Sequence, residues 1–329
     1  MSFINSYSLN VQTVKNGRVV PTNVNRTDKT FTGGVYSQDG ELVENGLRQD
    51  PAHTGPQPFP QLSPKSIMPN ELALNNVKKG RYLYLGFYTE HYGHFLLETL
   101  SRLWATKEAD YDGFIFNEFV IPRKTSGTSS LANACFSAFG IDLDKIHIVT
   151  EDTYFEYLFV PNSQFYIVNK AHPSYIDTYQ SIFTSHVSSQ KEPHQRIYLS
   201  RSAVQKRKRK VLNEAQIEKA FIEHGFIIIH PQELSFTKQL EIFSQAKIMA
   251  GLEGSGLHNC VFMPENGEVI NLCGPRSPRR IKCNQVICNG LNAHQGVVLP
   301  FVGEVVNQEK QISRMNIPHV KTWLRKHFG

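Results

Sequence analysis

The chain has 329 residues, of which 40% are hydrophobic and 19% are charged, and its formal net charge is +6. This length fits about two average domains, and the composition excludes a disordered or fibrous protein. No apolar run approaches the ~18 residues of a membrane-spanning helix, and no secretory signal peptide is visible at the start. Five cysteines without a zinc-binding spacing predict free thiols in a cytoplasmic protein.

Turn signals fill the first part of the chain. Asn16-Gly17 and Asp39-Gly40 each separate two apolar stretches, and both dipeptides favour the positive φ angles of tight hairpin turns. A proline-rich stretch follows and predicts an extended loop. We expect residues 1–70 to form an extended, hairpin-containing segment that packs on the first lobe.

Strand and helix signals alternate over residues 71–190, which predicts an N-terminal α/β lobe. RYLYLGFY (81–88) predicts a strand, and apolar residues at helical spacing predict a continuous helix over 92–106. The alternation ends with a predicted helix over 174–186.

A polar stretch that contains a proline, SSQKEPHQ (188–195), predicts a domain boundary. Beyond it, residues 196–272 alternate strand and helix signals, which predicts a parallel, doubly wound sheet in a second lobe spanning 191–310. The expected fold class is α/β, with two Rossmann-like lobes and a cleft between them.

The last segment, residues 311–329, is basic and amphipathic. Its apolar Val320, Trp323 and Leu324 share one face of a predicted helix. We expect this helix to pack inward and to cross back towards the first lobe. Contact with an anionic membrane surface is the alternative.

The segment GLEGSGLHN (251–259) follows a predicted strand and opens a helix. Gly254, Ser255 and Gly256 let a ligand approach the main chain, and amides at the start of a helix carry partial positive charge that favours a phosphate. A plain strand-to-helix turn explains the glycine spacing equally well. The third glycine of the dinucleotide fingerprint is missing, which disfavours a nicotinamide-dependent enzyme.

Seven of the 35 Lys and Arg residues lie in one run, residues 196–210. The run follows a predicted strand, where doubly wound sheets bind ligands, and arginine side chains suit phosphate oxygens. Arg201, Arg209 and Asn213 are the candidates for an anionic ligand, whereas a solvated loop explains most of the lysines. Nucleic-acid binding is the alternative, although no nucleic-acid-binding module accompanies the run.

His94 and Glu98 lie four residues apart in EHYGHFLLETLSRLW (90–104), so they share one helix face. Either could act as a general base in a cleft, although a structural hydrogen bond is the commoner use of such a pair. Asp142 and Asp144 match the DxD pattern of metal-dependent sugar transferases. Their context favours a solvated loop over a metal site.

Four segments, in this order, resemble the motifs of glycosyltransferase family 61. They are HYGHFLLETLSRLW (91–104), LSRSAVQKRKRKVLNE (199–214), GFIIIHPQELSFTKQLEIFSQA (225–246) and GLEGSGLHNCVFMPENGEVINL (251–272). The resemblance covers about residues 35–275. Glu253 stands where eukaryotic members usually carry His, and the Glu-Gly-Ser form is similar to the bacterial branch, which is associated with polysaccharide and lipopolysaccharide assembly.

The resemblance implies a GT-B architecture, a nucleotide-sugar donor, inversion at the anomeric carbon, and no metal or other cofactor. It also implies a saccharide or glycolipid acceptor, and it leaves peripheral association with the inner membrane face open. We expect His94 to be the base, with Glu98 and Glu253 as alternatives. The expected donor- and diphosphate-binding residues are Arg201, Arg209, Asn213, Gly254, Ser255, Gly256 and His258. Because Glu253 departs from the eukaryotic pattern, a binding-only relative without catalysis is a further alternative.

Overall fold

The computed structural model describes residues 3–25, 27–52, 60–118, 129–188, 193, 195–204, 210–275 and 279–329. The chain divides into two compact units, Met1–Ile182 and Phe183–Gly329. This division precedes the polar stretch that we predicted as the boundary (188–195), part of which lies outside the described residues.

The first unit is built on a six-stranded mixed sheet. Its strands are β1 (Val11–Asn25), β2 (Thr30–Tyr36), β3 (Lys78–Tyr88), β4 (Gly113–Glu118), β5 (Ile146–Val149) and β6 (Thr153–Pro161). Their spatial order is β2-β1-β6-β3-β4-β5. Strands β3 to β6 pair in parallel, whereas β1 pairs antiparallel with both β2 and β6. The N-terminal segment therefore supplies two strands of this sheet.

Asn16-Gly17 does not form the predicted hairpin turn, because β1 runs straight through it. Asn16 has a φ of 47°, yet the residues on both sides keep one register with β6. A Cβ at Gly17 would come within 2.8 Å of the Leu158 Cβ, so the glycine permits close packing across the sheet. The turn predicted at Asp39-Gly40 is present, and Gly40 has a φ of 89° there.

The described part of the first unit also contains helices and a short antiparallel strand pair. These elements are α1 (Glu71–Leu74), α2 (Tyr92–His94), α3 (Ser130–Ser137), β7 (Phe165–Tyr166), β8 (Lys170–Ala171) and α4 (Tyr175–His186). The helix predicted over 174–186 is confirmed as α4. The division between the two units falls within α4.

The continuous helix predicted over 92–106 is wrong. Helix α2 is followed directly by a π-helical turn, Phe95–Thr99, and then by a 3₁₀ turn, Leu103–Lys107. All five residues of the π-helical turn are buried. The apolar spacing therefore predicted a buried helical segment correctly but could not predict its hydrogen-bond pattern.

Two tyrosines of α4 account for the π-helical turn. In an α-helix the Leu96 carbonyl would accept from the Leu100 amide, but the hydroxyls of Tyr175 and Tyr179 both donate to it. The Leu100 amide donates instead to the Phe95 carbonyl, at 3.3 Å. The tyrosines lie 79 and 83 residues further along the chain, so no local pattern could reveal this.

The second unit contains a five-stranded sheet in which all strands are parallel. Its strands are β9 (Gln195–Leu199), β10 (Phe226–Ile229), β11 (Ala246–Leu252), β12 (Glu268–Leu272) and β13 (Gln295–Leu299). They connect through α5 (Glu214–Ile222), α6 (Phe236–Phe243), a 3₁₀ helix (Ser255–Phe262) and α7 (Arg279–Leu291). The spatial order is β10-β9-β11-β12-β13, which confirms the predicted doubly wound sheet.

The chain ends with a hairpin and a helix in the second unit. These are β14 (Gly303–Asn307), β15 (Ile312–Met315) and α8 (Ile317–Phe328). Helix α8 packs against α5, with Val320 and Leu324 fully buried and Trp323 partly buried in the same core as Phe221. The predicted inward packing is confirmed, and the core that α8 covers belongs to its own unit.

Candidate active site

His94, Glu98 and Arg48 form a connected chain of side chains in the first unit. His94 ends α2 and Glu98 lies in the π-helical turn, and the His94 Nδ1 hydrogen-bonds to the Glu98 Oε2. Arg48 contacts both oxygens of the same carboxylate: its Nε lies 2.5 Å from Oε1, and its Nη2 donates to Oε2 at 3.0 Å. The side chains of Arg48 and Glu98 are 5% and 9% exposed, whereas that of His94 is 36% exposed.

Electrostatics decide which of the two titratable side chains, Glu98 or His94, is better suited to accept a proton. Burial alone would raise the pKa of Glu98, but the neighbouring charges of Arg48 and His94 outweigh it and lower the pKa to about 2. A carboxylate that is so acidic, hydrogen-bonded at Oε2 and paired with a guanidinium, makes a poor general base. It orients the imidazole instead: when Nδ1 donates to Glu98, Nε2 keeps its lone pair. Of these two candidates, the geometry favours His94 as the base.

Sequence analysis missed Arg48, which lies in the turn-rich segment that precedes the motifs. The one available signal was Glu98 itself, because a buried carboxylate in an apolar stretch needs a cationic partner. Nothing indicated which of the 35 Lys and Arg residues would supply it.

In the second unit, two glutamates of α5 fix the loop that carries Arg201. The Arg201 amide donates to the Glu214 Oε1 at 2.7 Å, and the Ser200 hydroxyl donates to the Glu218 Oε1 at 2.6 Å. The loop is therefore held at the carboxyl end of β9. Arg209, the second predicted arginine, lies outside the described residues.

Arg201 and the Gly254 turn come together as predicted. Gly254 follows β11 with a φ of 152°, a conformation that favours glycine, and a Cβ placed there would lie 3.8 Å from the Arg201 Nη1. The first hydrogen bond of the 3₁₀ helix runs from the Leu257 amide to the Gly254 carbonyl. The amides of Ser255 and Gly256 precede that bond, so neither has an acceptor within the helix and both contribute to the partial positive charge at its start.

A cavity of about 160 Å³ opens beside Arg201 and Glu253. The strand order reverses between β9 and β11, and such a reversal in a parallel sheet leaves a ligand-binding crevice at the carboxyl ends of the strands. The walls are mostly apolar or amide-bearing. Its lining residues are Arg201, Val211, Leu252, Glu253, Leu272, Gly274, Pro275, Val305, Gln308, Gln311 and Ser313.

Glu253 is the buried acidic group of this cavity. The residue is 4% exposed, and its Oε2 has no hydrogen-bond partner among the residues that the structure describes. A buried carboxylate oxygen without a partner is costly, which a hydrogen-bond donor on a ligand would relieve. This position beside Arg201 makes Glu253 a candidate acceptor for a ligand hydroxyl.

Two predicted donor-binding residues have other surroundings. The Asn213 amide donates to the Met315 carbonyl at 2.8 Å and its oxygen accepts from the Met315 amide at 3.0 Å, so this side chain anchors β15. His258 is 6% exposed within the 3₁₀ helix and does not line the cavity formed by the described residues. Asp142, the first carboxylate of the DxD pattern, is exposed and accepts a hydrogen bond from the Asp144 amide, as expected in a solvated loop.

The β14–β15 hairpin supplies a cavity wall that sequence analysis did not predict. It contributes Val305, Gln308, Gln311 and Ser313. The Leu212 amide donates to the Ser313 carbonyl at 2.8 Å, which ties the hairpin to the segment before α5. This region carries no recognisable motif, so the sequence held no signal for its role.

A comparison with family models adds a decisive finding: the model described as Glycosyltransferase 61 matches residues 92–270, which is more than half of the chain. The chain belongs to glycosyltransferase family 61. It is therefore a glycosyltransferase, and a donor and an acceptor are its substrates. No curated protein matches the chain.

The family 61 match includes His94, Glu98, Arg201 and Glu253, whereas Arg48 lies outside it, as does the β14–β15 hairpin. Within the described residues, no helix is long and apolar enough to cross a membrane.

Proposed function

We propose that this family 61 enzyme is an inverting, metal-independent glycosyltransferase of the GT-B class. It moves a sugar from a nucleotide-sugar donor to a saccharide or glycolipid acceptor in bacterial surface polysaccharide synthesis. The observation that carries the proposal is the position of Arg201 beside Gly254, on the wall of a cavity at the carboxyl ends of β9 and β11.

The donor nucleotide binds in this cavity. Its apolar walls suit the faces of a nucleobase, and the Arg201 guanidinium and the amides of Ser255 and Gly256 suit the diphosphate. Glu253 accepts a hydrogen bond from a hydroxyl group of the nucleotide sugar. These fixed cationic and dipolar groups stabilise the charge that the diphosphate gains as the sugar departs, which is the part a divalent cation plays in other transferases.

The transfer is a direct displacement. The His94 Nε2 takes the proton of the acceptor hydroxyl while the acceptor oxygen bonds to the anomeric carbon. The bond between that carbon and the diphosphate oxygen breaks on the opposite face, and its electron pair leaves with the nucleoside diphosphate. Glu98 stabilises the imidazolium that forms, since it is ionised and bonded to Nδ1.

The place in bacterial surface polysaccharide synthesis rests on the Glu-Gly-Ser form of the motif around Glu253. A capsule or lipopolysaccharide acceptor would bring the enzyme to the cytoplasmic face of the inner membrane. The exposed basic residues Arg325 and Lys326 of α8 are compatible with such a location.

Thermal unfolding in the presence of nucleoside diphosphates and nucleotide sugars, followed by transfer assays with the stabilising donor, tests the proposal. We expect stabilisation by one nucleotide class and a product of inverted anomeric configuration by NMR. Stabilisation without any transfer would leave a binding-only relative. Stabilisation only by RNA or DNA, lost steeply with salt, would overturn the proposal in favour of nucleic-acid binding.

A further inference from the structure

We propose that Arg48 is a positioning residue for the transfer reaction: it fixes Glu98 as the ionised partner of His94, so that the imidazole presents Nε2 to the acceptor. This inference rests on the proposed role of His94 as the base. It extends the active site to a segment before the residues that match the family.

Contact geometry is the first support. Arg48 approaches both carboxylate oxygens of Glu98, and one of these oxygens also bonds to the His94 Nδ1. Two-pronged arginine–carboxylate contacts restrict the orientation of both groups. Because Arg48 and Glu98 are buried and His94 is half-exposed, the chain leads from a fixed interior pair to a side chain that solvent can reach.

A second arginine holds the segment that carries Arg48. Arg102 is 2% exposed and donates to the carbonyls of Asn45 and Leu47 at 3.0 and 2.7 Å. Its guanidinium lies against Gly86 of β3, where a Cβ would come within 2.5 Å of Nη1. Arg102 therefore holds the backbone beside Arg48, and Arg48 in turn holds the carboxylate of Glu98.

The charges around His94 and Glu98 mean that Arg48 also affects the protonation of this pair. Among the described residues, Arg48, Arg102 and His91 face this pair: Arg102 interacts electrostatically with Glu98, and the His91 ring lies 4.9 Å from that of His94. The positive charge of Arg48 opposes protonation of the His94 imidazole. Without it, the negative charge of Glu98 beside the imidazole is no longer balanced, which favours the imidazolium over the free base that the reaction needs.

The test is the pH dependence of kcat for Arg48→Met and Arg48→Lys. In Arg48→Met we expect the acidic limb to move to higher pH, so that the loss relative to wild type is about tenfold or more greater at pH 6 than at pH 9, because one pKa unit is a factor of ten in protonation. Arg48→Lys keeps the charge and should keep the limb, with a lower plateau because only one prong remains. The donor KM should change little in either variant.

Arg18→Met is the matched control. Arg18 makes a comparable two-pronged contact with Asp152 in the same unit, at 2.7 and 2.5 Å. This variant should lose thermal stability without moving the limb.

The outcomes separate this inference from the proposed function. If Arg48→Met lowers the plateau of kcat but leaves the acidic limb in place, Arg48 has only a structural role. That result would overturn this inference and leave the proposed function intact. Wild-type transfer by His94→Ala would overturn the proposed base, and with it the premise of the inference. If Arg48→Met does not fold, Arg48→Lys still decides: a shifted limb with the charge retained would contradict the electrostatic argument.

Discussion

The hydroxyl of Tyr175 donates to the carbonyl oxygen of Leu96 at 2.6 Å, and this contact links α4 to the π-helical turn that carries Glu98. Tyr179 donates to the same oxygen at 2.9 Å. The two hydroxyls therefore occupy the carbonyl oxygen that the Leu100 amide would bond in an α-helix. Both tyrosines are fully buried, so their hydroxyls are held at this oxygen. The turn in which Glu98 meets His94 is maintained by this competition.

Replacing Tyr175 and Tyr179 together with Phe should release the Leu96 carbonyl to the α-helical pattern and displace Glu98. We expect each single variant to lose about 1 kcal/mol of unfolding free energy, the usual net value of one hydrogen bond. The double variant should also lose turnover while keeping its donor affinity, as measured by steady-state kinetics and calorimetry. A folded double variant with wild-type turnover would show that the π-helical turn does not matter for catalysis.

Arg201→Met should weaken binding of the nucleoside diphosphate product. A charge-assisted hydrogen bond contributes roughly 1.5–3 kcal/mol, which is about one to two decades of affinity. Arg201→Lys should restore only part of it, because an ammonium cannot make a planar two-pronged contact. Arg196→Met is the control on strand β9, which precedes the Arg201 loop, since Arg196 donates to the His224 carbonyl instead of lining the cavity. Equal titration calorimetry curves for wild type and Arg201→Met would contradict the donor-site assignment.

His94→Ala should slow transfer by ~10²–10⁴-fold, the range typical of a lost general base. Its nucleoside diphosphate affinity should stay close to wild type, because the proposed mechanism has His94 act on the acceptor. Single-turnover rates and product affinities measured on the same preparation check both parts. Loss of donor binding in His94→Ala, with binding retained in Arg201→Met, would reverse the two roles.

Transfer should persist in excess chelator. In the proposed mechanism, Arg201 and the amides of the Gly254 turn supply the charge stabilisation that a divalent cation provides in other transferases. Activity is compared with and without chelator after dialysis. Complete loss, restored by Mn²⁺ or Mg²⁺, would return Asp142 and Asp144 to consideration as metal ligands.

Glu98 should make the protein acid-sensitive. Its pKa is about 2 in the folded protein, well below the ordinary 4.5 expected after unfolding. The stability that it contributes is therefore present above pH 4.5 and is lost as the pH falls towards 2. Urea unfolding between pH 3 and pH 6 should show a shallower pH dependence for Glu98→Gln. The fully exposed Glu223, which pairs with Lys321, serves as control, and Glu223→Gln should leave the dependence nearly unchanged.

Most of the parallel sheet in the second unit was predictable, because the strand and helix signals over residues 196–272 are local. The glycines at 254 and 256 predicted the turn after β11. The strand-to-helix order then left few topologies. The meeting of Arg201 with Gly254 followed, because parallel strands end on the same side of a sheet.

The features that could not be predicted depend on contacts between residues far apart in the sequence. Arg48 and Glu98 are 50 residues apart, and Asn213 and Met315 are 102 residues apart. Asn213 was predicted to bind the donor because it lies in a motif, yet its amide pairs with a backbone whose location the sequence does not reveal. Such pairings arise only when the fold brings two segments together.

Gln308 and Gln311 lie in the turn of the β14–β15 hairpin, whereas Arg201 and Glu253 lie at the ends of framework strands. Turns accept substitutions that strands in a sheet interior do not. In the proposed donor site, one wall of the cavity therefore comes from the ends of sheet strands and another from a turn that tolerates substitution. Exchanging only the hairpin turn should retune which nucleotide the enzyme prefers while leaving the transfer chemistry in place, so donor preference can diverge among relatives without rebuilding the sheet.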